Sequence, residues 1–145
     1  MSPAEPETAA RHEGGCLCGA IRYRVDGPIE SVSHCHCGMC RRSSGALVVT
    51  WFTVTRGRFA LTRGELARWS SSENAERTFC PSCGAQITFW STRHPNEIDV
   101  TLGSLDHPER HPADRHVWVE SKVPWLRLDE ALPAHAAHTP AAHER

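Results

Sequence analysis

Apolar and polar residues alternate in short runs along most of the chain. In AIRYRV, residues 20–25, Ile21, Tyr23 and Val25 fall on one side and Arg22 and Arg24 on the other, the period-two pattern of a strand with one face in a core. ALVVTWFTV, residues 46–54, is apolar with little interruption and predicts a more deeply buried strand. RFAL (58–61), LARWS (66–70), RTF (77–79), AQITFW (85–90), EIDVTL (97–102) and HVWVES (116–121) extend the series, with Gly, Pro and Ser between them. Only CGMCRRSSG, residues 37–45, predicts a helical turn. The expectation is a mainly β, antiparallel domain with little helix.

Composition narrows this picture without changing it. At 145 residues and 16.1 kDa the chain fits one domain, and its 39% hydrophobic and 23% charged residues are those of an ordinary globular protein. Residues 1–13 and 133–145 are rich in Ala, Pro and charge, lack hydrophobic period, and are expected to be flexible ends of a domain over 14–132. The tail histidines His135, His138 and His143 have no fixed geometry on this reading and stay outside the site. A formal net charge of -1 with scattered arginines lacks the footprint of a nucleic-acid binder. No apolar run approaches the roughly 18 residues needed to span a bilayer, and the first residues do not read as a secretory signal. A cytoplasmic protein is expected, in which clustered thiols more often bind metal than form disulfides.

The seven cysteines are the strongest chemical signal. They fall into Cys16 and Cys18 in GGCLCGA, Cys35, Cys37 and Cys40 in CHCGMC, and Cys80 and Cys83 in FCPSCGA. An odd count cannot pair fully as disulfides, and Cys-x-Cys neighbours are poorly placed to bridge each other. Structural zinc takes four thiolates in a closed tetrahedron, whereas catalytic zinc keeps three protein ligands and an open position. Seven divides into four and three. Spacing leaves two divisions open: Cys37 and Cys40 with Cys80 and Cys83, in the manner of a zinc ribbon, or Cys16 and Cys18 with Cys80 and Cys83. The second is favoured, because three thiolates close in sequence converge without long-range folding and both glycine-flanked pairs adjoin predicted strands.

The ordered segments GGCLCGAIRYRV, SHCHCGMCRRSSGA, RTFCPSCGAQITF, LGSLD and HVWVESKVPW resemble the glutathione-dependent formaldehyde-activating enzyme family, which also includes centromere protein V. The resemblance spans residues 14 to about 132. It implies a β-rich, tent-like fold with two zinc ions, a structural one on Cys16, Cys18, Cys80 and Cys83 and a catalytic one on Cys35, Cys37 and Cys40. The reaction it implies joins carbon to sulfur, the type case being addition of glutathione to formaldehyde to give S-hydroxymethylglutathione. The partners are then a small-molecule thiol and an aldehyde, with no nucleic acid or membrane.

The residues suit that chemistry. A thiol entering an open zinc position binds as thiolate, and three thiolate ligands favour sulfur handling over strong Lewis-acid hydrolysis. Arg41 and Arg42, directly after Cys40, either offset the site's charge and grip a substrate carboxylate or face water. His116, Lys122 and Trp125 are pocket candidates for an anionic tripeptide. His34 and His36 are expected to point away from the shared metal, toward solvent or behind the ligands, and Trp51 and Trp90 to lie in the core. A non-catalytic zinc module for protein binding and a thiol or metal-stress sensor are the alternative functions.

Overall fold

A computed structural model describes residues 10–140. Ten strands and one short helix follow in the order β1 Arg11–Gly15, β2 Arg22–Asp26, β3 Ser31–Cys35, α1 Gly38–Ser44, β4 Val49–Thr55, β5 Phe59–Arg63, β6 Ala67–Ser72, β7 Ala75–Phe79, β8 Gln86–Ser91, β9 Glu97–Thr101 and β10 Arg115–Val117. The mainly β expectation is met. β1, β2 and β5 form a three-stranded antiparallel sheet, and a seven-stranded sheet runs β10-β3-β4-β9-β8-β7-β6. Its one departure from antiparallel pairing is β10 beside β3, with Arg115, His116 and Val117 opposite Ser33, His34 and Cys35.

The alternation in β2 does what its period requires. Ile21, Tyr23 and Val25 are buried and meet Val32, Phe52, Val54, Ile98 and Val100 from one face of the large sheet, while Arg22 and Arg24 turn outward to Asp106 and Asp26. Tyr23 is wholly buried, and its hydroxyl pairs with Ser104 Oγ at 2.6 Å, which removes the cost of burying a phenol without a partner. A second, smaller apolar cluster lies on the other face of the large sheet. It holds Cys35, Cys40, Val49, Trp51 and Val117, edged by Cys37, Phe89 and Trp118.

Two strands were not foreseen, and both ends differ from expectation. β1 starts at Arg11, inside the segment expected to be flexible, because its backbone pairs with β2 from Arg11 opposite Asp26 to Gly15 opposite Arg22. β3 alternates Val32 and His34 inward, a pattern whose second polar member hides the period. Residues 133–139 lie along β10: His116 N–H donates to Pro133 O at 2.8 Å, His135 N–H to His116 O at 3.0 Å and Trp118 N–H to Ala137 O at 2.6 Å. Backbone bonds of this kind need no hydrophobic pattern. Residues 1–9 and 141–145, His143 among them, lie outside the described residues. No helix among the described residues is long and apolar enough to cross a membrane.

Candidate metal centres

Cys16 and Cys18 sit on the loop from β1 to β2, and Cys80 and Cys83 on the loop from β7 to β8. Each loop turns through a glycine in the left-handed region, Gly19 at φ 84° and Gly84 at φ 77°, where a side chain would be strained. Gly84 N–H closes its turn on Cys80 O at 2.9 Å. The four sulfurs lie within 4.8 Å of one another, with Cys16 to Cys18 at 3.6 Å and Cys18 to Cys80 at 3.7 Å. A zinc ion 2.3 Å from each of four tetrahedral sulfurs sets them about 3.8 Å apart, so the quartet fits that ion. Backbone amides of Ile21, Ser82 and Cys83 point at Sγ of Cys16, Cys80 and Cys80, at 3.2, 3.3 and 3.4 Å. Such donors favour thiolate over thiol. Burial pushes the Cys16 thiol up, but the Ile21 amide with the Cys18 and Cys80 thiols outweighs it and brings Cys16 to about 6.

The second group is local. Cys35 ends β3, Cys37 is the N-cap of α1 and Cys40 lies in its first turn, where its amide donates to Cys37 Sγ at 3.2 Å. α1 ends at Gly45, in the left-handed region, whose N–H bonds Arg41 O. The three sulfurs lie within 4.8 Å of one another, Cys40 to Cys35 at 3.6 Å. The Cys35 and Cys40 thiols pull Cys37 far down, while its neighbours Cys37 and Cys40 push Cys35 far up. Three crowded sulfurs cannot all ionise without a cation among them, and a soft divalent ion is what this donor set fits. The seven cysteines are all free of disulfides and divide four and three, with Cys16 and Cys18 joining Cys80 and Cys83. The ribbon-like division does not form.

Sequence reasoning missed Arg77 on β7. Its side chain is buried, 6% exposed, with Nη2 3.8 Å from Cys40 Sγ and Nη1 3.5 Å from Ser43 Oγ. The guanidinium lies 4.9 Å over the Phe89 ring. No sequence signal marks it, since its burial and its contact with Cys40, 37 residues away, arise only in the fold. Trp118, edging the same cluster, holds a left-handed φ of 58°, a conformation that costs roughly 1–3 kcal/mol in a residue with a side chain.

Other expected site residues are placed differently. Arg41 is half-buried and Arg42 exposed on α1, beside the trio in sequence. His116 does not face the trio. It is 5% exposed, with Nδ1 2.9 Å from His36 Nε2 and Nε2 2.9 Å from Asp129 O, so no ring nitrogen is left for substrate. Lys122 is half-buried with Nζ 3.5 Å from Val123 O, and its charge acts on His36. His34 and His36 point away from the trio as expected, but into protein and not into solvent, at 8% and 1% exposure. Burial first, then the charges of His116, His34 and Lys122, push His36 down to about 4. Trp51 is buried against the trio, whereas Trp90 is only half-buried, beneath the Arg56 guanidinium at 4.8 Å, and Trp125 is exposed.

The chain is similar to known proteins over most of its length. The chain is 26% identical over 132 residues to a Halomonas elongata protein that carries the name of a glutathione-dependent formaldehyde-activating enzyme, covering 81% of this chain and 80% of that one. It is 28% identical over 111 residues to an uncharacterized lyase of Schizosaccharomyces pombe, covering 77% and 80%. The crystal structure of a Rhodobacter sphaeroides protein shares the fold, with a TM-score of 0.58 at 23% identity over 70% of this chain and 96% of that one. The family of glutathione-dependent formaldehyde-activating enzymes matches residues 11–121, from β1 to the turn after β10 and with all seven cysteines inside, and this chain belongs to it.

Proposed function

We propose that the protein is a zinc-dependent carbon-sulfur lyase that adds a thiol such as glutathione to formaldehyde or a related small aldehyde. The observation that carries the reading is the contrast between the two clusters: four sulfurs in one, three in the other, with a buried guanidinium against the three. Cys16, Cys18, Cys80 and Cys83 hold a structural zinc. Cys35, Cys37 and Cys40 hold a second one with a position left for substrate. Zinc bound there supplies the stabilisation that lets an incoming thiol exist as thiolate near neutral pH, well below its ordinary pKa of about 8.5.

The protein's own residues do the rest. Three thiolates and a divalent cation carry one net negative charge, which the Arg77 guanidinium balances, so the site accepts the further charge of an ionised substrate. Val49, Trp51, Val117, Phe89 and Trp118 form a dry wall that strengthens these charge interactions. On this reading Arg41 and Arg42, directly after Cys40 on α1, meet the carboxylates of a thiol such as glutathione. In the reaction the sulfur lone pair forms the new bond to the aldehyde carbon, the carbonyl π pair moves to oxygen, and the proton released by the thiol ends on that oxygen. No electron acceptor is needed.

The test is glutathione-dependent consumption of formaldehyde by protein of known zinc content, before and after chelation. About two zinc ions per chain, with turnover lost on removal of the more labile one and regained on adding it back, is the expected result. Two-zinc protein that accelerates addition of neither glutathione nor cysteine to formaldehyde or glyoxal would overturn the enzymatic reading in favour of a binding module or sensor.

A further inference from the structure

We propose that Asp129 is a positioning residue for the three-cysteine site, acting through a buried chain of three histidines behind it. The inference rests on the reading of Cys35, Cys37 and Cys40 as metal ligands. Successive residues of an extended strand point to opposite sides, so His34 and His36 lie behind a segment whose Cys35 and Cys37 face the trio. His116 joins them from β10, opposite His34 in register. Its ring lies 5.1 Å from those of both His34 and His36.

For neutral imidazoles the hydrogen bonds set the tautomer of each ring, because carbonyl and carboxylate oxygens can only accept. Asp129 O is 2.9 Å from His116 Nε2, so that nitrogen carries hydrogen. His116 Nδ1 is then the acceptor for His36 Nε2–H, at 2.9 Å. The carboxylate of the same Asp129 takes the Nε2–H of His34 at 2.7 Å, and His34 Nδ1 accepts from the Thr50 hydroxyl at 2.7 Å. One residue thus sets three imidazoles, two through its side chain or carbonyl directly and the third through His116. Asp129 does so from a left-handed φ of 46°, a conformation that aspartate tolerates better than most residues.

The consequence for the trio lies in His36. It sits between two of the three ligands, and among the described residues two hydrogen bonds hold it: its amide donates to Val117 O at 3.0 Å and its ring to His116. Its Nδ1 is buried without a partner among the described residues. Loss of the His116 contact would leave both ring nitrogens of a fully buried histidine unsatisfied, and the segment carrying Cys35 and Cys37 must then shift to hydrate one. Asp129 lies beyond residues 11–121, the part that matches the family, on a segment whose continuation runs along β10. Alignment of the sulfurs therefore depends on a part of the chain outside the family match.

The experiment measures metal affinity, and activity is not needed. Cobalt(II) is titrated into metal-free wild-type protein and into Asp129→Ala, Asp129→Asn and His116→Phe, reading the thiolate charge-transfer bands of the two sites, with chelator competition for affinity and thermal melting alongside. Outer partners of metal ligands typically contribute 10–100-fold in affinity. Asp129→Ala removes the carboxylate on His34 and disfavours the left-handed φ that aims the residue 129 carbonyl at His116, and His116→Phe removes the partner of His36. Each should weaken the second site by that order with an altered spectrum and leave the first site within about twofold. Asp129→Asn, which keeps the carbonyl, tolerates that φ and offers His34 an amide oxygen, should recover most of the loss. Second-site affinity and spectrum unchanged in the variants would overturn the inference while the two-metal reading stands. Equal weakening of both sites with a lowered melting temperature, in Asp129→Asn as well, would reduce Asp129 to a fold residue and overturn it too. Wild-type protein that binds one cobalt only would overturn the metal-site reading itself.

Discussion

Two residues that carry no sequence motif govern the charge on the site face. Among the described residues Arg77 is the cationic group in direct contact with a trio sulfur, at 3.8 Å from Cys40 Sγ, and its guanidinium lies over Phe89. Losing a charge-assisted contact of about 1.5–3 kcal/mol corresponds to roughly 10–150-fold in rate. Arg77→Ala should lower kcat/KM with glutathione and formaldehyde by that order while the quartet zinc is retained. Arg77→Lys, which keeps charge but loses the stacked plane, should fall between. Steady-state kinetics with zinc analysis of both variants checks this, and equal activity in all three proteins would remove Arg77 from the mechanism. The second residue is Asp99 on β9, which accepts the Thr53 hydroxyl at 2.5 Å. Burial pushes its carboxyl up to about 6, against the downward pull of Thr53. A folded-state pKa above the unfolded value of about 3.9 means that the native state binds the proton more tightly. Its stabilising contribution is complete below the unfolded pKa and disappears as pH rises through about 6. Asp99→Asn should therefore be more stable than wild type at pH ~7.5, by ~1 kcal/mol after allowing for the part of the side chain that water reaches, with the gap mostly closed at pH ~4, near the unfolded pKa. Urea unfolding of both proteins at the two pH values decides it, since a gap independent of pH would contradict the assignment.

At the scale of elements, what the sequence made legible was what alternation encodes. β2, β4 and β9 are read correctly because their inward residues are apolar, down to Ile21, Tyr23 and Val25 on one face. The helical turn is read from its cysteine and glycine boundaries, which the structure uses as N-cap Cys37 and C-cap Gly45. β1, with the sequence RHEGG, has no such pattern and exists through backbone pairing with β2. β3 buries a histidine whose partners, Thr50 and Asp129, are distant in sequence by 16 and 95 residues, and no local rule reports them. The same limit applies to His116, expected at substrate because it neighbours Lys122 and Trp125 in sequence. Position on β10 decides otherwise, since its parallel register with His34 turns it to the opposite side of the sheet from Cys35. The division of the cysteines was legible because a metal centre constrains spacing and residue type together. Arg77 and Asp129 were not, because each is defined by what it meets across the fold.

At the scale of the molecule the proposed roles of the two cysteine groups differ in what each ties together, which the topology makes measurable. Cys18 and Cys80 are 62 residues apart and their contact ties the three-stranded sheet to the large one, whereas Cys35 and Cys40 are 5 apart within one turn of chain. Treated as cross-links, closing the longer loop removes roughly 4 kcal/mol of unfolded-chain entropy and the shorter one roughly 2 kcal/mol. That difference is a large share of the 5–15 kcal/mol that holds a typical domain folded. A metal held by the quartet would also anchor the β2 residues whose burial closes the main core, so its binding energy would be largely folding energy. Cys16→Ser and Cys83→Ser should accordingly give insoluble or strongly destabilised protein, because a serine hydroxyl stays protonated where the site requires thiolate. Cys37→Ser and Cys40→Ser should remain folded and lose one zinc along with activity, for the smaller apolar cluster persists around Val49, Trp51 and Val117. Thermal unfolding and zinc stoichiometry on the four variants side by side test this. If the Cys37 and Cys40 variants unfold as readily as the Cys83 variant, the trio is a folding centre and the division of labour between the two groups is wrong.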